Sequence, residues 1–330
     1  MNSFQRFTNV PARDAKALRG ALFIGFRNRI REKNGRLFFS YEGCSFTDLY
    51  GAHIRIQTRT VNMHGKSSSE DIIAIKAKVE AIPGAMRRMG WGVAGELMER
   101  WIHSPAWVLP IDWKKEQPLD LSVSHLDQQI VRMGWAMSNP RVRVAMNKLR
   151  VNMINGPARK LLHDRLDEGT WGGSHRIEFG NQRNSALQLD RTCQSNFEPL
   201  GGDMDTMDDV YGGLGKATLK AALIGHASRD VRTGKIALQV THAGFYIRDT
   251  YDFNDFQYLG TWTTNGVLSK TAMLMNTALD GMVSRWKGEP IGNLFNHDFD
   301  TYRRLTGFGG DFVLYSDVHW EPMNLLLALS

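Results

Sequence analysis

The chain has 330 residues, of which 42% are hydrophobic and 10% aromatic, and it carries a formal net charge of +7. This length exceeds the usual one-domain range, so we expect two domains or one elaborated domain. The composition is sufficient for a sizeable core and excludes a disordered or low-complexity chain.

Charge is distributed unevenly along the chain. Residues 1–200 hold 30 lysines and arginines against 19 acids, whereas residues 201–330 hold 11 against 15. A basic block can attract nucleic acid, anionic lipid or an acidic partner, although a solvated basic surface gives the same balance. The sequence lacks the aromatic and basic strand pattern of an RNA-binding sheet, so we expect no nucleic-acid partner.

Targeting signals and cysteines give further expectations. No apolar run approaches the roughly 18 residues of a transmembrane helix, and the N-terminus lacks the order of a cleaved secretory signal. Cys44 and Cys193 are the only cysteines. They favour free thiols in a protein made in a reducing compartment over a disulfide. A protein of this kind that acts outside the cell would leave by a route that needs no cleaved signal.

Residues 1–169 are predicted to combine strands and helices. A basic lead-in occupies residues 1–36, and extended segments follow it. The predicted strands are Leu37–Tyr41, Ala52–Gln57 and Asp71–Val79. Four apolar residues then recur every four positions and predict a helix that begins near Pro83 and stops before Pro105. These residues are Met89, Val93, Leu97 and Trp101. Further helices are predicted at about 122–138, 140–151 and 157–167.

The remainder of the chain is predicted to be β-rich. Residues 170–215 are rich in glycine, asparagine, aspartate and serine, which predicts a linker. Three strands are predicted to form an antiparallel meander after it. These strands are Ala217–Ala227, Lys235–Thr241 and Gly244–Phe253. A helix at about 270–287 and a last strand, Phe312–Val318, complete the region.

The fold class predicted from this order is α+β. A mixed region, residues 37–169, would contain the strands and helices of the N-terminal part. The linker at 170–215 would connect it to an antiparallel β-rich effector domain at 216–330.

The end of the strand Gly244–Phe253 carries the strongest candidate site. Side chains on a straight strand alternate between faces, so Asp249 and Asp252 would point to opposite faces, roughly 10 Å apart. Aspartate and asparagine favour turns, and a bend immediately after Tyr251 would bring the two carboxylates together. The pair could then hold a metal ion or activate water.

The last predicted strand carries a second set of polar groups. Odd-numbered residues from Asp311 to His319 would share one face, which places Tyr315 and Asp317 beside the histidine. A carboxylate beside a histidine can orient it as a general base, whereas a solvated face gives the same pattern. His297, followed by an aspartate, is a further candidate ligand or part of a helix cap.

The six residues Asp249-Thr-Tyr-Asp-Phe-Asn254 resemble the catalytic segment of colicin M-type bacteriocins. Those enzymes cleave the peptidoglycan precursor lipid II between its prenyl chain and pyrophosphate, with a magnesium requirement. The resemblance implies functional roles for Asp249, Tyr251 and Asp252, and Mg²⁺ as a cofactor.

The chain departs from that family directly after the segment. The family continues with a His-Arg pair, where this chain has Tyr258 and Leu259. The missing base would then come from His319 or His297. We predict that three further residues bind substrate. They are Arg248, Asn254 and Tyr315.

Longer segments resemble an uncharacterised proteobacterial family that is often encoded near type VI secretion genes. They lie at Ile82–Trp91 with Leu97–Trp101, at Tyr246–Asn254 and at Gly309–Asp317, and the resemblance that they carry extends over most of residues 82–317. The resemblance implies an antibacterial effector or an associated protein. Its partners would be an immunity protein and proteins of the secretion apparatus.

Three functional hypotheses follow. In the first, a secreted effector in the target-cell periplasm or envelope hydrolyses a lipid-linked phosphoester such as lipid II. Asp249 and Asp252 would hold the metal ion, Tyr251 would orient the phosphate, and Asp317 with His319 would transfer the proton. The second is a non-enzymatic toxin that acts at the membrane surface through the basic N-terminal region and the glycine-rich helix after residue 83. The third is an adaptor or structural protein of the secretion apparatus.

Overall fold

The computed structural model describes residues 6–10, 28–33, 36–41, 46–47, 53–54, 69–115, 121–169, 171–202, 205–254, 258–269 and 288–329. The protein belongs to the α+β class, as the sequence predicted. It divides into two compact units, each built from two segments of the chain. Unit 1 comprises Met1–Val108 and Asp252–Gly310, and unit 2 comprises Leu109–Tyr251 and Asp311–Ser330.

Unit 1 contains small antiparallel sheets and several helices. Its strands are β1 (Arg6–Val10), β2 (Asn28–Lys33), β3 (Arg36–Tyr41), β4 (Phe46–Thr47), β5 (His53–Ile54), β11 (Tyr258–Thr263), β12 (Gly266–Val267) and β13 (Pro290–Phe295). Its helices are α1 (Ser69–Glu80), α2 (Ile82–Arg88), α3 (Gly92–His103) and α10 (Asn296–Thr306). β1–β3 form one sheet, β4 pairs with β5, and β11 lies between β12 and β13. The predicted helix at 270–287 lies outside the described residues.

The predicted strand Asp71–Val79 is wrong, because this segment is the body of α1. Its least exposed residues are Ile72, Ile75, Lys78 and Val79, and this spacing belongs to a helix rather than to a strand. The β-branched run Ile-Ile-Ala-Ile favours a strand locally, and packing overrides that preference here.

The predicted helix after Pro83 exists but is divided into α2 and α3. Pro83 lies in the first turn of α2, where its missing N–H costs nothing. Gly90, between the two helices, has φ +80°, a left-handed conformation that favours glycine. A Cβ on Gly95 would lie 3.3 Å from the Pro83 carbonyl oxygen, so the glycine permits α3 to pack closely on α2.

Trp101 is the centre of an aromatic core in unit 1. Its side chain is fully buried, as the predicted helical stripe requires. The indole meets Phe253 and Phe299 edge-on, at centroid distances of 5.0 and 5.3 Å. Gly309, at φ +95°, touches the same ring, and a Cβ there would lie 2.5 Å from the indole carbon Cη2.

Unit 2 is built around one seven-stranded sheet. Its strands are β6 (Leu126–Asp127), β7 (Arg176–Phe179), β8 (Gln194–Leu200), β9 (Ala217–Arg229), β10 (Ile236–Tyr251), β14 (Phe312–Tyr315) and β15 (His319–Ala328). Its helices are α4 (Asp112–Lys115), α5 (Met133–Ser138), α6 (Pro140–Asn152), α7 (Gly156–Asp167), α8 (Ala186–Thr192) and α9 (Asp209–Leu214), with a 3₁₀ turn at Val123–His125. The antiparallel hairpin β9–β10 forms the middle. β7 and β8 pair with β9, β14 and β15 pair with β10, and β6 runs parallel to β14.

The helices predicted at 140–151 and 157–167 are confirmed as α6 and α7. Asn139 and Asn155 cap them with side-chain oxygens, and a proline occupies the first turn of each. The helix predicted at 122–138 is present only from Met133 onward, as α5.

The predicted strands at 235–241 and 244–253 are one continuous strand, β10, of 16 residues. The register shifts between Val240 and His242 against both neighbouring strands, so a bulge absorbs the change of pattern. The predicted meander had three strands, whereas the structure has two, β9 and β10. The predicted antiparallel pairing is confirmed.

Residues 170–215, predicted as a linker, carry four elements of unit 2: β7, α8, β8 and α9. Ser185 begins α8 with a capping box that Gln188 completes. Leu189 and Cys193 are buried beneath it. Glycines and asparagines in this segment form turns between short elements, for example at Gly180 with φ +65°.

Candidate functional site

The predicted site residues on β10 lie on two different faces of the sheet. β10 pairs with β14 so that Arg248 lies opposite Tyr315 and Tyr251 opposite Phe312. Opposed residues share a face and neighbours along a strand alternate. Arg248 and Tyr315 therefore occupy one face, and Asp249 and Tyr251 the other.

Tyr251 is part of the packed interior. Its side chain is only 7% exposed. The ring stacks on Phe312 with a centroid distance of 5.2 Å and an interplanar angle of 18°. Burial, with a smaller contribution from the Asp249 carboxylate, raises the pKa of the Tyr251 hydroxyl well above its ordinary value. A phenol in this environment stabilises the sheet and is badly placed to orient a phosphate.

The two predicted metal-ligand carboxylates each accept a local backbone hydrogen bond. Asp249 is half-buried, and its Oδ1 accepts the Thr250 N–H at 2.8 Å. Asp252, also half-buried, accepts the Asn254 N–H at 3.4 Å. The strand ends at Tyr251, so the chain leaves the sheet where the sequence predicted a bend.

Asn254, a predicted substrate ligand, is exposed on unit 1. Its side-chain oxygen accepts a hydrogen bond from Arg303 Nη1 at 3.3 Å. Arg303 also donates through Nε to the Gly309 carbonyl at 2.6 Å, and its guanidinium lies 5.3 Å from the Trp101 ring centroid. Asn254 thus belongs to the polar surroundings of the aromatic core.

The prediction that Asp311 to His319 form one continuous strand face is wrong. β14 ends at Tyr315 and β15 begins at His319, and the residues between them make no strand pairs. Asp311 is 1% exposed, and its Oδ2 accepts the Leu109 N–H at 2.9 Å. Asp317 accepts the Met133 N–H at 2.5 Å. Each carboxylate therefore accepts a backbone N–H from a segment that is distant in the sequence.

His319 does not pair with Asp317. Its Nε2 lies 3.4 Å from Glu321 Oε1, and Glu321 also receives two N–H groups of Arg150. His319 lies opposite Phe245 in the sheet register, four residues from Asp249 along β10. Four residues of strand span roughly 13 Å, so this histidine is not beside the predicted carboxylate.

A buried polar centre that the sequence did not predict lies on the Arg248 face. We name it the Asp190 centre, after the carboxylate in its middle. Asp190 is fully buried, and Oδ1 accepts hydrogen bonds from Lys220 Nζ at 2.7 Å and the Tyr246 hydroxyl at 2.9 Å. Oδ2 accepts the Tyr315 hydroxyl at 2.8 Å and lies 4.0 Å from Arg248 Nε. The centre joins α8 to β9, β10 and β14.

The Asp190 centre shifts the pKa values of the groups around it. Burial lowers the pKa of Lys220, and the Asp190 charge opposes that effect. Burial and the same carboxylate raise the pKa of Tyr246 and Tyr315 above their ordinary value. The hydroxyls therefore stay protonated donors, and Asp190 receives bonds on both oxygens, as a buried carboxylate requires.

Two sequence signals could have located the Asp190 centre. Lys220 and Arg248 each lie directly beside an apolar run of a strand, and charged residues at buried strand positions are almost always paired. Arg248 was predicted only as a substrate ligand and Lys220 not at all, because their common partner, Asp190, lies in the segment interpreted as a linker.

His297, the alternative base, lies in the first turn of α10. Its Nε2 is 3.3 Å from the Thr301 hydroxyl. The following Asp298 accepts the Phe295 N–H at 2.8 Å and pairs with Lys78 at 2.7 Å, so this dipeptide contributes a helix cap.

No cluster of three or more His, Cys, Asp or Glu side chains suited to a metal ion occurs among the residues that the structure describes. Within the same residues, no helix is long and apolar enough to cross a membrane.

Comparison with known proteins assigns the chain to a family. A family of unknown function (DUF6402) matches residues 77–328, and the chain belongs to it. No curated protein and no solved structure matches the chain.

Proposed function

We propose that this protein acts by binding other proteins, as an adaptor or structural component of a type VI secretion-associated system. One observation carries the proposal. The residues that would form a catalytic constellation are distributed over two faces of the sheet and are engaged in holding the fold. Tyr251 is stacked, Tyr315 is bonded to Asp190, and Asp317 caps a distant backbone N–H.

The distribution of charge supports the same proposal. Several basic side chains of the N-terminal part form ion pairs with acids from the C-terminal part within each unit. In unit 2, Arg150 pairs with Glu321 at 2.5 Å, and in unit 1 Lys78 pairs with Asp298 at 2.7 Å. These intramolecular ion pairs neutralise some of the excess positive charge of the N-terminal part. The charge is then a weaker argument for an anionic membrane or a nucleic acid as the target.

The link to secretion rests on the resemblance of the segments between residues 82 and 317. A protein exported with a contact-dependent machine would bind a component of that machine or its cargo. It would need no catalytic centre of its own.

Expression in a bacterium, with and without a periplasmic signal, tests this function. We expect no toxicity in either compartment, and the same growth for wild type and Asp249→Ala. Growth arrest in the periplasm that Asp249→Ala abolishes would contradict the binding proposal.

The envelope hydrolase remains a second candidate because Asp249 and Asp252 are each only half-buried. This hypothesis predicts release of pyrophosphate-linked product from lipid II by purified protein in the presence of Mg²⁺. The control is Asp230→Ala, which removes a carboxylate from an exposed turn of the β9–β10 hairpin. Activity lost in both Asp249→Ala and Asp252→Ala but kept in the control would establish the hydrolase.

A further inference from the structure

β15 is an edge strand of the unit 2 sheet. Within the described residues, β15 pairs with β10 on one side and with no strand on the other. An unpaired edge presents a row of N–H and C=O groups that can pair with another strand. Natural proteins usually protect such edges with proline, charge or a covering element.

Protection on β15 is confined to its first half. Glu321 and Pro322 lie there, and proline is tolerated on edge strands because it lacks a donor. The second half, Asn324–Ala328, contains neither charge nor proline, and Leu326 is 65% exposed. The backbone alternation fixes which groups face outward. Leu329 donates inward to Ile236, so the N–H groups of residues 326 and 328 point away from β10.

A basic cleft lies beside this unprotected half. It has a volume of about 470 Å³ and is lined by Ala328, Leu329 and four residues of α7. The four are Arg159, Lys160, His163 and Asp164. Arg159 donates to the outward Ala328 carbonyl at 3.3 Å, so its guanidinium lies at the edge of β15, at the end of the unprotected half.

The cleft carries a positive balance. Asp164 is shared between Lys160, at 2.8 Å, and His163, at 3.5 Å. Arg159 faces no carboxylate among the described residues, so one full positive charge is left at the end of the strand. The guanidinium has five donors and matches a carboxylate in two-pronged geometry.

We propose that the β15 edge and the α7 cleft together bind an extended acidic peptide of a partner protein. The peptide would pair with the outward groups of Asn324–Ala328 and place a carboxylate against Arg159 and Lys160. Main-chain pairing of this kind gives affinity, and the charged cleft gives direction and choice of partner. The proposal rests on the binding function proposed above and specifies its surface and the chemistry of its partner.

Fluorescence anisotropy with the purified full-length chain tests the proposal. The probe is a labelled hexapeptide of alternating Val and Thr that ends in Asp-Glu, and the matched probe ends in Lys-Lys. We expect saturable binding of the acidic probe, at least tenfold tighter than the basic one, and weaker at high salt. Equal binding of the two probes would overturn the proposal.

Three variants locate the site. Arg159→Gln with Lys160→Gln removes the cleft charge, and we expect a loss of tenfold or more in affinity. Leu326→Pro removes an outward N–H donor and an exposed side chain but no hydrogen bond to β10, so we expect a similar loss with an unchanged circular dichroism spectrum. Lys148→Gln is the control, because this side chain is 63% exposed on α6 and carries the same charge. An equal loss in Lys148→Gln, or no loss in the cleft variant, would refute the cleft.

The oligomeric state tests whether a second copy of the chain, rather than a peptide of another protein, binds the β15 edge. If the wild type sediments as a dimer and Leu326→Pro as a monomer, a second copy of the chain occupies the edge, and the peptide proposal is wrong. A monomeric wild type supports it. The peptide assay does not depend on Asp249, so its result is separate from the toxicity test of the proposed function.

Discussion

Substitution of Asp190 by Asn tests the central claim about unit 2, that a buried carboxylate fixes α8 onto the sheet. The side chain is fully buried and accepts three hydrogen bonds, from Lys220, Tyr246 and Tyr315. Asparagine has nearly the same shape but no charge, and an NH2 group that cannot accept a hydrogen bond replaces one of the two carboxylate oxygens. The lysine would lose its charged partner within a poorly solvated site.

The size of the effect follows from the cost of an unpaired buried charge. Removing one partner of a buried ion pair typically costs about 3–5 kcal/mol. The lost hydrogen bonds to a charged acceptor are part of that figure and do not add to it. Since folded domains are stable by only about 5–15 kcal/mol, Asp190→Asn should remove a large part of the stability of unit 2.

Urea unfolding monitored by circular dichroism and tryptophan fluorescence measures the effect. Where the unfolding curve resolves two transitions, each is fitted on its own, because a chain with two compact units need not follow a single two-state transition. Asp167→Asn is the control, since Asp167 is 61% exposed and pairs with Arg229 on the surface. Such a pair contributes less than about 1 kcal/mol. If Asp190→Asn costs no more than this control, the carboxylate does not hold the fold as we argue.

Three further predictions follow from buried groups. Spectrophotometric titration should show at least three of the eight tyrosines ionising only above the ordinary pKa of about 10. The pKa of these phenols is higher in the folded than in the unfolded protein. Their contribution to the free energy of unfolding is therefore fully present below pH about 10 and is lost as the pH rises further. Ionisation of all eight tyrosines near pH 10 would contradict their burial. Gly309→Ala should destabilise unit 1 by about 2–4 kcal/mol in urea unfolding, because its Cβ would overlap the Trp101 ring as well as strain the backbone. Gly90→Ala, which has positive φ but open space, should cost only about 1–2 kcal/mol, and equal losses would refute the steric argument. In a Cys44→Ser background, Cys193 should react with a thiol reagent only on unfolding, since burial raises its pKa; rapid reaction of the folded protein would disprove this.

Local signals allowed several elements to be predicted. The Asn-Pro and Asn-Gly-Pro sequences before α6 and α7 carry both a cap and a helix-starting proline, and both helices formed there. The aspartate and asparagine cluster after Tyr251 favoured a bend there, and β10 ends at Tyr251, two residues before the predicted strand end at Phe253. Failure occurred where local and tertiary preferences conflict, as in α1, where a β-branched run is helical.

The candidate site could be predicted only as a set of residues. The acids near Asp249 and Asp317 are chemically capable of catalysis, and the sequence cannot tell which backbone N–H each one meets. Asp311 bonds a group 202 residues away, and Asp317 one 184 residues away. Local patterns contain no information on contacts at such separation.

The sequence by itself determined the α+β class, the antiparallel pairing around β10 and the two capped helices α6 and α7. Each depends on residues close together in the chain. The tertiary structure alone decided that Arg248 and Tyr315 face Asp190 while Asp249 and Tyr251 face the other side. One residue of strand register reverses every side chain, and register is set by the whole sheet and the helices packed on it.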